Sequence, residues 1–186
     1  FKDKFRLSEH QTQSYDDFIE NKIPDIISQF FPMKEFFVEG IELPGSDKKS
    51  KFTIHIDMKN PQISKPFINE NNGKTKLMFP SEARMRNFTY SSTLYVDIHI
   101  DTYIDQNDEI IQLQPRVLEK INIGKIPVMV RSKYCVLDTH KHIASKKLGE
   151  CKYDIGGYFI INGNEKVLVS QEKIADNIPL VFKNNK

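Results

Sequence analysis

The chain has 186 residues, of which 39% are hydrophobic and 28% are charged, an ordinary composition for a globular chain that buries a core. This length fits one domain, or one domain and part of a second. The formal net charge of +2 is too small to indicate nucleic-acid binding by itself, and no apolar run approaches the length of a transmembrane helix.

Residues 14–31 carry apolar side chains at spacings of three and four, which predicts an amphipathic helix. Ser14 is the expected N-cap, and Asp16 and Asp17 in the first turn would face the positive end of the helix dipole. Pro24 interrupts the pattern at a cost of about 3 kcal/mol. We therefore expect a kink there, or a second short helix that starts near Pro24.

The middle of the chain alternates between strand patterns and turns. Apolar and β-branched residues predict strands at residues 36–43, 52–58, 89–104, 110–113 and 126–130. Turns or loops are predicted at residues 44–50, 60–76 and 105–109, a short helix at residues 80–87, and a basic loop or helix at residues 140–147. Because strands and helices do not alternate regularly, we predict an α+β fold with a mostly antiparallel mixed sheet and short helices.

A hairpin is predicted near the C-terminal end of the chain. Residues 158–161 form a dense β-forming run, and Asn162-Gly163 is a strong hairpin-turn signal because both residue types accept a positive φ. Residues 166–169 are predicted to be the return strand. Gly156 and Gly157 precede the hairpin and allow a sharp turn or a close backbone contact.

Few residues suggest a catalytic or metal-binding site. Asp97, His99 and Asp101 alternate along one predicted strand and could present three metal ligands, but the solvated face of a half-buried strand accounts for them better. Cys135 is predicted to be a core side chain, and Cys151 has no partner histidine at a useful spacing. We therefore predict no self-contained active site.

Basic residues at the ends of predicted elements are candidates for phosphate contacts. Arg84 and Arg86 do not share a helix face, and one of them can turn inward to pair with a carboxylate such as Glu82. Arg131, Lys133 and Lys166 lie at predicted strand ends, from which a side chain can reach a phosphate backbone. From spacing alone, surface solvation or an ion pair within the domain explains each of these residues better than a phosphate contact does.

Four blocks of sequence, in order, resemble the second-largest subunit of multisubunit DNA-directed RNA polymerases, in its eukaryotic and nucleocytoplasmic large DNA virus form. They are SYDDFIENKIPD at residues 14–25, PSEARMRNFTYSSTLYVD at 80–97, GKIPVMVRSKYC at 124–135, and residues 148–183, which include GGYFIINGNEKVLVSQE and end in NIPLVFK. The resemblance covers essentially the whole chain, although residues 31–50 match poorly and the length of 138–147 varies.

The resemblance implies a place in a larger enzyme. Residues 1–174 would be the first segment of the protrusion domain, one wall of the DNA cleft, and residues 175–186 would start the connection into the lobe domain. The implied partners are the DNA template, the RNA–DNA hybrid, the largest subunit and other subunits, and the rest of the same subunit, with no membrane. Mg²⁺ and Zn²⁺ are expected for the complete enzyme, and neither a catalytic nor a metal residue is expected here.

The resemblance also assigns individual residues. Lys166 matches the basic position that faces the RNA–DNA hybrid, and Gln171 and Lys173 follow toward the fork. The expected structural residues of the matching blocks are Glu82, Arg84, Arg86, Arg131, Gly156, Gly157, Asn162 and Gly163. The alternative is a stand-alone nucleic-acid-binding or assembly module derived from the same fold.

The sequence also bears on the cellular location. Cys135 and Cys151 form no Cys-x-x-Cys motif, which favours a reducing compartment. The first residues show no signal-peptide pattern, so a secreted protein is not expected. The nucleus, a cytoplasmic viral factory and a virion all remain as predicted locations.

Overall fold

A computed structural model describes residues 7–30, 34–42, 49–106, 109–140, 145–174, 176–179 and 181–183. These residues form the predicted α+β fold, in which a helical segment packs on an antiparallel sheet and a second core lies beside it. In this part of the chain, no helix is both long and apolar enough to cross a membrane.

The N-terminal helical segment consists of α1 (Glu9–Asp17), a π-helical turn (Phe18–Lys22) and α2 (Ile23–Phe30). The prediction of a second helix near Pro24 is confirmed. Pro24 has no N–H for an α-helical hydrogen bond, and the wider turn before it is closed by the Ile23 N–H, which donates to the Phe18 carbonyl. The predicted cap at Ser14 is wrong, because α1 already starts at Glu9 and Ser14 lies inside it.

One stripe of this segment is buried. Tyr15, Ile19, Ile23 and Ile27 are each at most 9% exposed and recur every four residues, so they lie on one helix face. They pack against a cluster that includes Val96 and residues of the sheet. Two further members of the predicted stripe, Phe18 and Ile26, are 40% and 45% exposed. The buried face is therefore narrower than the apolar pattern.

The described residues form nine strands: β1 (Lys34–Glu42), β2 (Lys49–Ile63), β3 (Phe67–Asn69), β4 (Thr75–Leu77), β5 (Ser91–Gln106), β6 (Glu109–Gln112), β7 (Arg116–Pro127), β8 (Phe159–Ile161) and β9 (Asn164–Lys166). The main sheet is antiparallel in the order β1-β2-β5-β6, with β7 also paired to β5. Three short helices complete the fold: α3 (Pro80–Met85), as predicted, α4 (Val136–Thr139) and a 3₁₀ turn (Ser145–Leu148). Parts of the predicted turns at 44–50 and 105–109, and of the insertion at 140–147, lie outside the described residues.

The predicted loop at residues 60–76 is wrong. Strand β2 continues through Pro61 to Ile63, and β3 and β4 form a small hairpin after it. Proline is tolerated at a bulge, where no ladder hydrogen bond is lost. Here the pairing of β2 with β5 shifts register between Lys59 and Gln62, and Asn60 has a φ of 52°.

Asp97 on β5 stabilises irregularities in both neighbouring strands. Its carboxylate accepts hydrogen bonds from the Asn60 side-chain amide on β2 at 3.0 Å and from the Lys120 backbone N–H on β7 at 2.9 Å. The Lys120 hydrogen bond, followed by that of Asn60, holds the pKa of Asp97 below its usual value. Asp97 therefore stabilises the sheet. Among the described residues, no group of three His, Cys, Asp or Glu side chains could hold a metal ion.

The predicted strand at 126–130 is misplaced, because β7 ends at Pro127. The N–H groups of Val128 and Val130 instead donate at 2.8 Å to the carbonyls of Tyr90 and Tyr158. Both valines are fully buried in the second core, which also contains Cys135, as the sequence predicts. This core joins Tyr90, which precedes β5, to the segment after β7 and to β8, and it places β8 beside the residues that follow α3.

Candidate nucleic-acid interface

The hairpin of β8 and β9 turns at Asn162 and Gly163, as predicted. Their φ values are 50° and 78°, and a hairpin loop of two residues with both φ values positive matches the twist of the strands. The predicted return strand at 166–169 is wrong, because β9 covers Asn164–Lys166 and ends where that prediction begins. Val167 and the two residues after it are exposed and lie outside any strand.

The turn of the hairpin is docked on the segment that links α3 to β5. The Gly163 N–H donates to the Phe88 carbonyl at 3.0 Å, and the Tyr90 N–H donates to the Ile160 carbonyl at 2.9 Å. A Cβ atom on Gly163 would lie 2.6 Å from Asn87 Oδ1 and 2.9 Å from Asn87 Cα. The backbone therefore approaches Asn87 too closely for any residue except glycine.

The base of the hairpin is held by the glycine pair that precedes β8. Gly156 and Gly157 have φ values of 72° and 83°. A Cβ atom at Gly156 would lie 2.6 Å from the Val130 carbonyl oxygen, and one at Gly157 would lie 2.8 Å from Ser8 Cβ. The Gly157 N–H donates to the same Val130 carbonyl at 3.0 Å, and Arg131, the residue after it, packs on Gly156. The hairpin is thus fixed at its base and at its turn.

Arg84 on α3 contacts both the hairpin and the segment before it. Its guanidinium donates to Glu150 at 3.0 Å, to the Tyr158 hydroxyl at 2.6 Å and to Glu165 on β9 at 2.7 Å. The Tyr158 hydroxyl in turn donates to Asp154 at 2.5 Å. The Glu150 side chain is only 2% exposed, and its second oxygen accepts the Ser81 backbone N–H at 2.7 Å.

Burial and the neighbouring groups shift the pKa values of Arg84 and Tyr158. Burial alone would lower the pKa of Arg84, but Glu150, Tyr158 and Glu165 outweigh it and hold the pKa above its usual range. Burial, followed by the hydrogen bond to Asp154, raises the pKa of Tyr158. Arg84 is therefore a permanent cation and Tyr158 a neutral donor at physiological pH, which suits a fixed structural network.

Arg86 belongs to a separate and more exposed cluster. It donates to Glu82 at 2.8 Å and to Glu70 at 2.7 Å, and Lys76 pairs with the same two carboxylates. The hydrogen bonds from Arg86 and then from Lys76 lower the pKa of Glu70 to about 2. This cluster ties the β3–β4 hairpin to α3. The predicted ion pair between Glu82 and one of the two arginines is thus made by Arg86, whereas Arg84 turns toward the hairpin.

A family model described as RNA polymerase beta subunit matches residues 6–181. The chain belongs to the RNA polymerase beta subunit family. It is 40% identical over 178 residues to DNA-directed RNA polymerase II subunit 2 of Arabidopsis thaliana and 39% identical over 194 residues to DNA-directed RNA polymerase II subunit RPB2 of Eremothecium gossypii. It is 32% identical over 176 residues to DNA-directed RNA polymerase subunit Rpo2N of Halobacterium salinarum.

These alignments include nearly all of this chain and a small part of each relative. They cover 95%, 98% and 94% of the chain, and 15%, 16% and 31% of the respective relatives. The chain therefore spans about a sixth of the length of the eukaryotic members of the RNA polymerase beta subunit family and under a third of the archaeal one. The geometry above is that of one segment of such a subunit.

In this member of the RNA polymerase beta subunit family, the predicted contact residues lie on the exposed side of the hairpin and beyond it. Lys166 ends β9 and is exposed, and Gln171 and Lys173 follow in the exposed segment after it. Lys173 pairs with Asp176 at 2.9 Å, both side chains being about 80% exposed. That these three residues touch nucleic acid stays a prediction.

Sequence reasoning missed the acidic partners of Arg84. Glu150, Asp154 and Glu165 lie 66, 70 and 81 residues beyond it in the chain. No local spacing links residues so far apart. The only signal in the sequence was that all three lie in the last matching block, residues 148–183, which indicates that they matter without showing which residues they touch.

Proposed function

We propose that this chain forms part of one wall of the DNA cleft in a DNA-directed RNA polymerase, and that its β8–β9 hairpin contacts the RNA–DNA hybrid. Membership of the RNA polymerase beta subunit family supports the proposed position in the wall of the cleft. The exposure of Lys166, at the end of a hairpin whose base and turn are both fixed, supports the second.

In this proposal the Lys166 ammonium binds a phosphate of the hybrid. Contacts to phosphates position a protein on nucleic acid without reading its sequence, as a polymerase that transcribes any template requires. Because the hairpin is already ordered by Gly163 and Arg84, little conformational freedom is lost on binding. Gln171 and Lys173 would make similar contacts toward the fork.

The wider proposal concerns the assembled enzyme. The partners of this chain are the largest subunit, the other polymerase subunits, and the lobe and second protrusion segment of the same subunit, with residues 1–174 as the first protrusion segment. The enzyme transfers nucleotides to RNA with Mg²⁺ and also holds Zn²⁺, both bound by other parts. The eukaryotic relatives named above favour a nuclear location, and a viral source stays a prediction.

The test of the contact is Lys166→Glu in the assembled polymerase. Stalled elongation complexes of the variant should dissociate faster than those of the unchanged enzyme, most clearly at low KCl, because a phosphate contact becomes a repulsion that salt screens. The matched control is Lys74→Glu, which makes the same charge change at an exposed site in the turn between β3 and β4. If the salt stability of the complex is unchanged by Lys166→Glu, Lys166 does not contact the hybrid.

The test of the assembly is the size and company of the native polypeptide. An antibody raised against this chain is used to probe source extract fractionated by sedimentation. A band far above 21.7 kDa that travels with RNA-synthesising activity is expected. A free band near 21.7 kDa, away from that activity, would instead favour a stand-alone module.

A further inference from the structure

Glu165 and Lys166 are neighbours in β9 and therefore point to opposite faces of the hairpin. Strand pairing places Glu165 opposite Ile160, which is fully buried, and Lys166 opposite Phe159. The Glu165 carboxylate accepts a hydrogen bond from Arg84 Nε at 2.7 Å. A contact on one face of a two-stranded ribbon thus determines where the side chain on the other face is held.

The contact between Arg84 and Glu165 is poorly explained as a source of stability. The Glu165 side chain is 56% exposed, whereas the Glu150 side chain, on the same guanidinium, is 2% exposed. Exposed ion pairs contribute little to folding because water screens them and both side chains lose freedom. The buried partner stabilises Arg84 itself. The exposed partner attaches β9 to a guanidinium that is already fixed.

We infer that Glu165 is a positioning residue, which acts through Arg84 to hold β9 so that Lys166 is aimed at a phosphate of the bound nucleic acid. This inference rests on the proposed contact of Lys166. By this inference, an acidic side chain beside a nucleic-acid interface strengthens the binding of nucleic acid.

That role predicts an effect opposite in sign to simple electrostatics. A carboxylate next to a phosphate backbone repels it, so its removal alone would strengthen binding. If Glu165 positions Lys166, removal of its carboxylate loosens the end of β9 that carries Lys166, although the turn and base of the hairpin stay docked, and binding weakens. Glu172 provides the matched control, because it is an exposed glutamate six residues beyond Lys166 and lies outside the contacts of Arg84.

The experiment measures the dissociation rate of stalled elongation complexes against KCl concentration, using assembled polymerase with Glu165→Gln, Lys166→Gln, both changes together, or Glu172→Gln. Loss of one phosphate contact should reduce the dependence of log rate on log salt by about one unit. We expect this loss for Glu165→Gln and for Lys166→Gln, no further loss for the double variant, and an unchanged or more stable complex for Glu172→Gln. Glu165→Asp, which keeps the carboxylate, should restore part of the salt dependence.

Each other outcome identifies what has failed. If Lys166→Gln has no effect, the proposed contact is wrong and the positioning role falls with it. If Lys166→Gln weakens the complex but Glu165→Gln behaves like Glu172→Gln, the contact stands and the positioning role is wrong. If Glu165→Gln weakens the complex equally with and without Lys166, Glu165 acts on the fold generally, and the positioning role is again wrong.

Discussion

The guanidinium of Arg84 has one partner, Glu150, that solvent hardly reaches. Arg84→Ala would leave the Glu150 carboxylate buried with the Ser81 N–H as its remaining described partner. Removing one member of a buried ion pair typically costs about 3–5 kcal/mol because the other charge stays desolvated. We expect a loss of this size in the free energy of unfolding, measured by urea denaturation of the chain and followed by circular dichroism.

Arg86→Ala is the matched control, two residues away in the sequence. Its partners Glu70 and Glu82 have side chains 27% and 18% exposed, and Arg86 itself is 39% exposed, so water can replace much of what is lost. We therefore expect a clearly smaller loss of stability than for Arg84→Ala. Equal losses for the two alanine variants would show that the burial of Glu150 is not what makes Arg84 important.

Glu70 makes the stability of the chain depend on acid. Its pKa falls from 4.5 to about 2 on folding, first through the Arg86 hydrogen bond and then through Lys76. Because the folded state lowers this pKa, the ionised carboxylate stabilises the fold above about pH 4.5, and that contribution is lost as the pH falls toward 2. Urea midpoints are measured from about pH 6, above the pKa of the unfolded state, down to about pH 2.5, near the pKa of the folded state. As the pH is lowered, the midpoint should therefore decrease less steeply for Glu70→Gln than for the unchanged chain. Glu172→Gln, in the exposed tail, should leave the slope as it is.

At the scale of elements, the β8–β9 turn depends on a glycine for two reasons that can be separated. Gly163 and Gly73 both have a left-handed backbone, with φ values of 78° and 76°. A Cβ atom at Gly73 meets nothing within 4 Å, whereas one at Gly163 would lie 2.9 Å from Asn87 Cα. Gly73→Ala should cost about 1 kcal/mol for the backbone conformation alone. Gly163→Ala should cost clearly more in the same denaturation assay, and equal costs would mean that the docking on Asn87 adjusts freely.

The elements show which features a local pattern can predict. The Asn162-Gly163 turn and the helix at Pro80 were predictable because backbone preferences of one or two residues determine them. The length of β9 was not predictable. Val167 and Val169 alternate as in a strand, but Gly156 and Gly157 turn the opposing chain away, so no partner strand is available. The hairpin of β3 and β4 was missed because the prolines, Gly73 and the asparagines of residues 60–76 suggested a loop, whereas a bulge accommodates Pro61 within β2.

The candidate site divides in the same way. The matching blocks of the family indicated Arg84, Lys166 and the glycine pair, since each is part of a sequence motif. The acidic partners of Arg84 come from the segment before β8 and from β9, and only the folded chain brings them together. Long-range ion pairs depend on packing rather than on spacing. Residue spacing therefore found the basic residues, and the family resemblance expected Arg84 to be structural and Lys166 to contact the hybrid, but neither identified the acidic partners of Arg84.

At the scale of the whole molecule, large apolar side chains remain on the surface. Val169, Val181 and Phe182 in the segment after β9 are 81%, 95% and 83% exposed, and Ile123 on β7 is 48% exposed. Val181 and Phe182 are neighbours in the chain, and contiguous exposed apolar groups are typical of surfaces that contact other protein. This exposure is expected of a segment that works within a larger subunit. It therefore bears on how strongly the isolated chain should bind nucleic acid.

The isolated chain should bind an RNA–DNA hybrid weakly. Its 27 basic residues are nearly balanced by 25 acidic ones, and Arg84 and Arg86 are already paired with carboxylates. With Lys166 and Lys173 as the contacts, one or two phosphates would be neutralised, so log affinity should fall with log salt at a slope between about −1 and −2. Fluorescence anisotropy of a labelled hybrid, titrated with the chain at several KCl concentrations, measures both quantities. We expect a Kd weaker than about 10⁻⁴ M at physiological salt, because one or two phosphate contacts supply little binding free energy by themselves. Micromolar binding with a slope steeper than about −4 would require several unpaired basic groups acting together, and it would make the stand-alone binding module the better account of this fold.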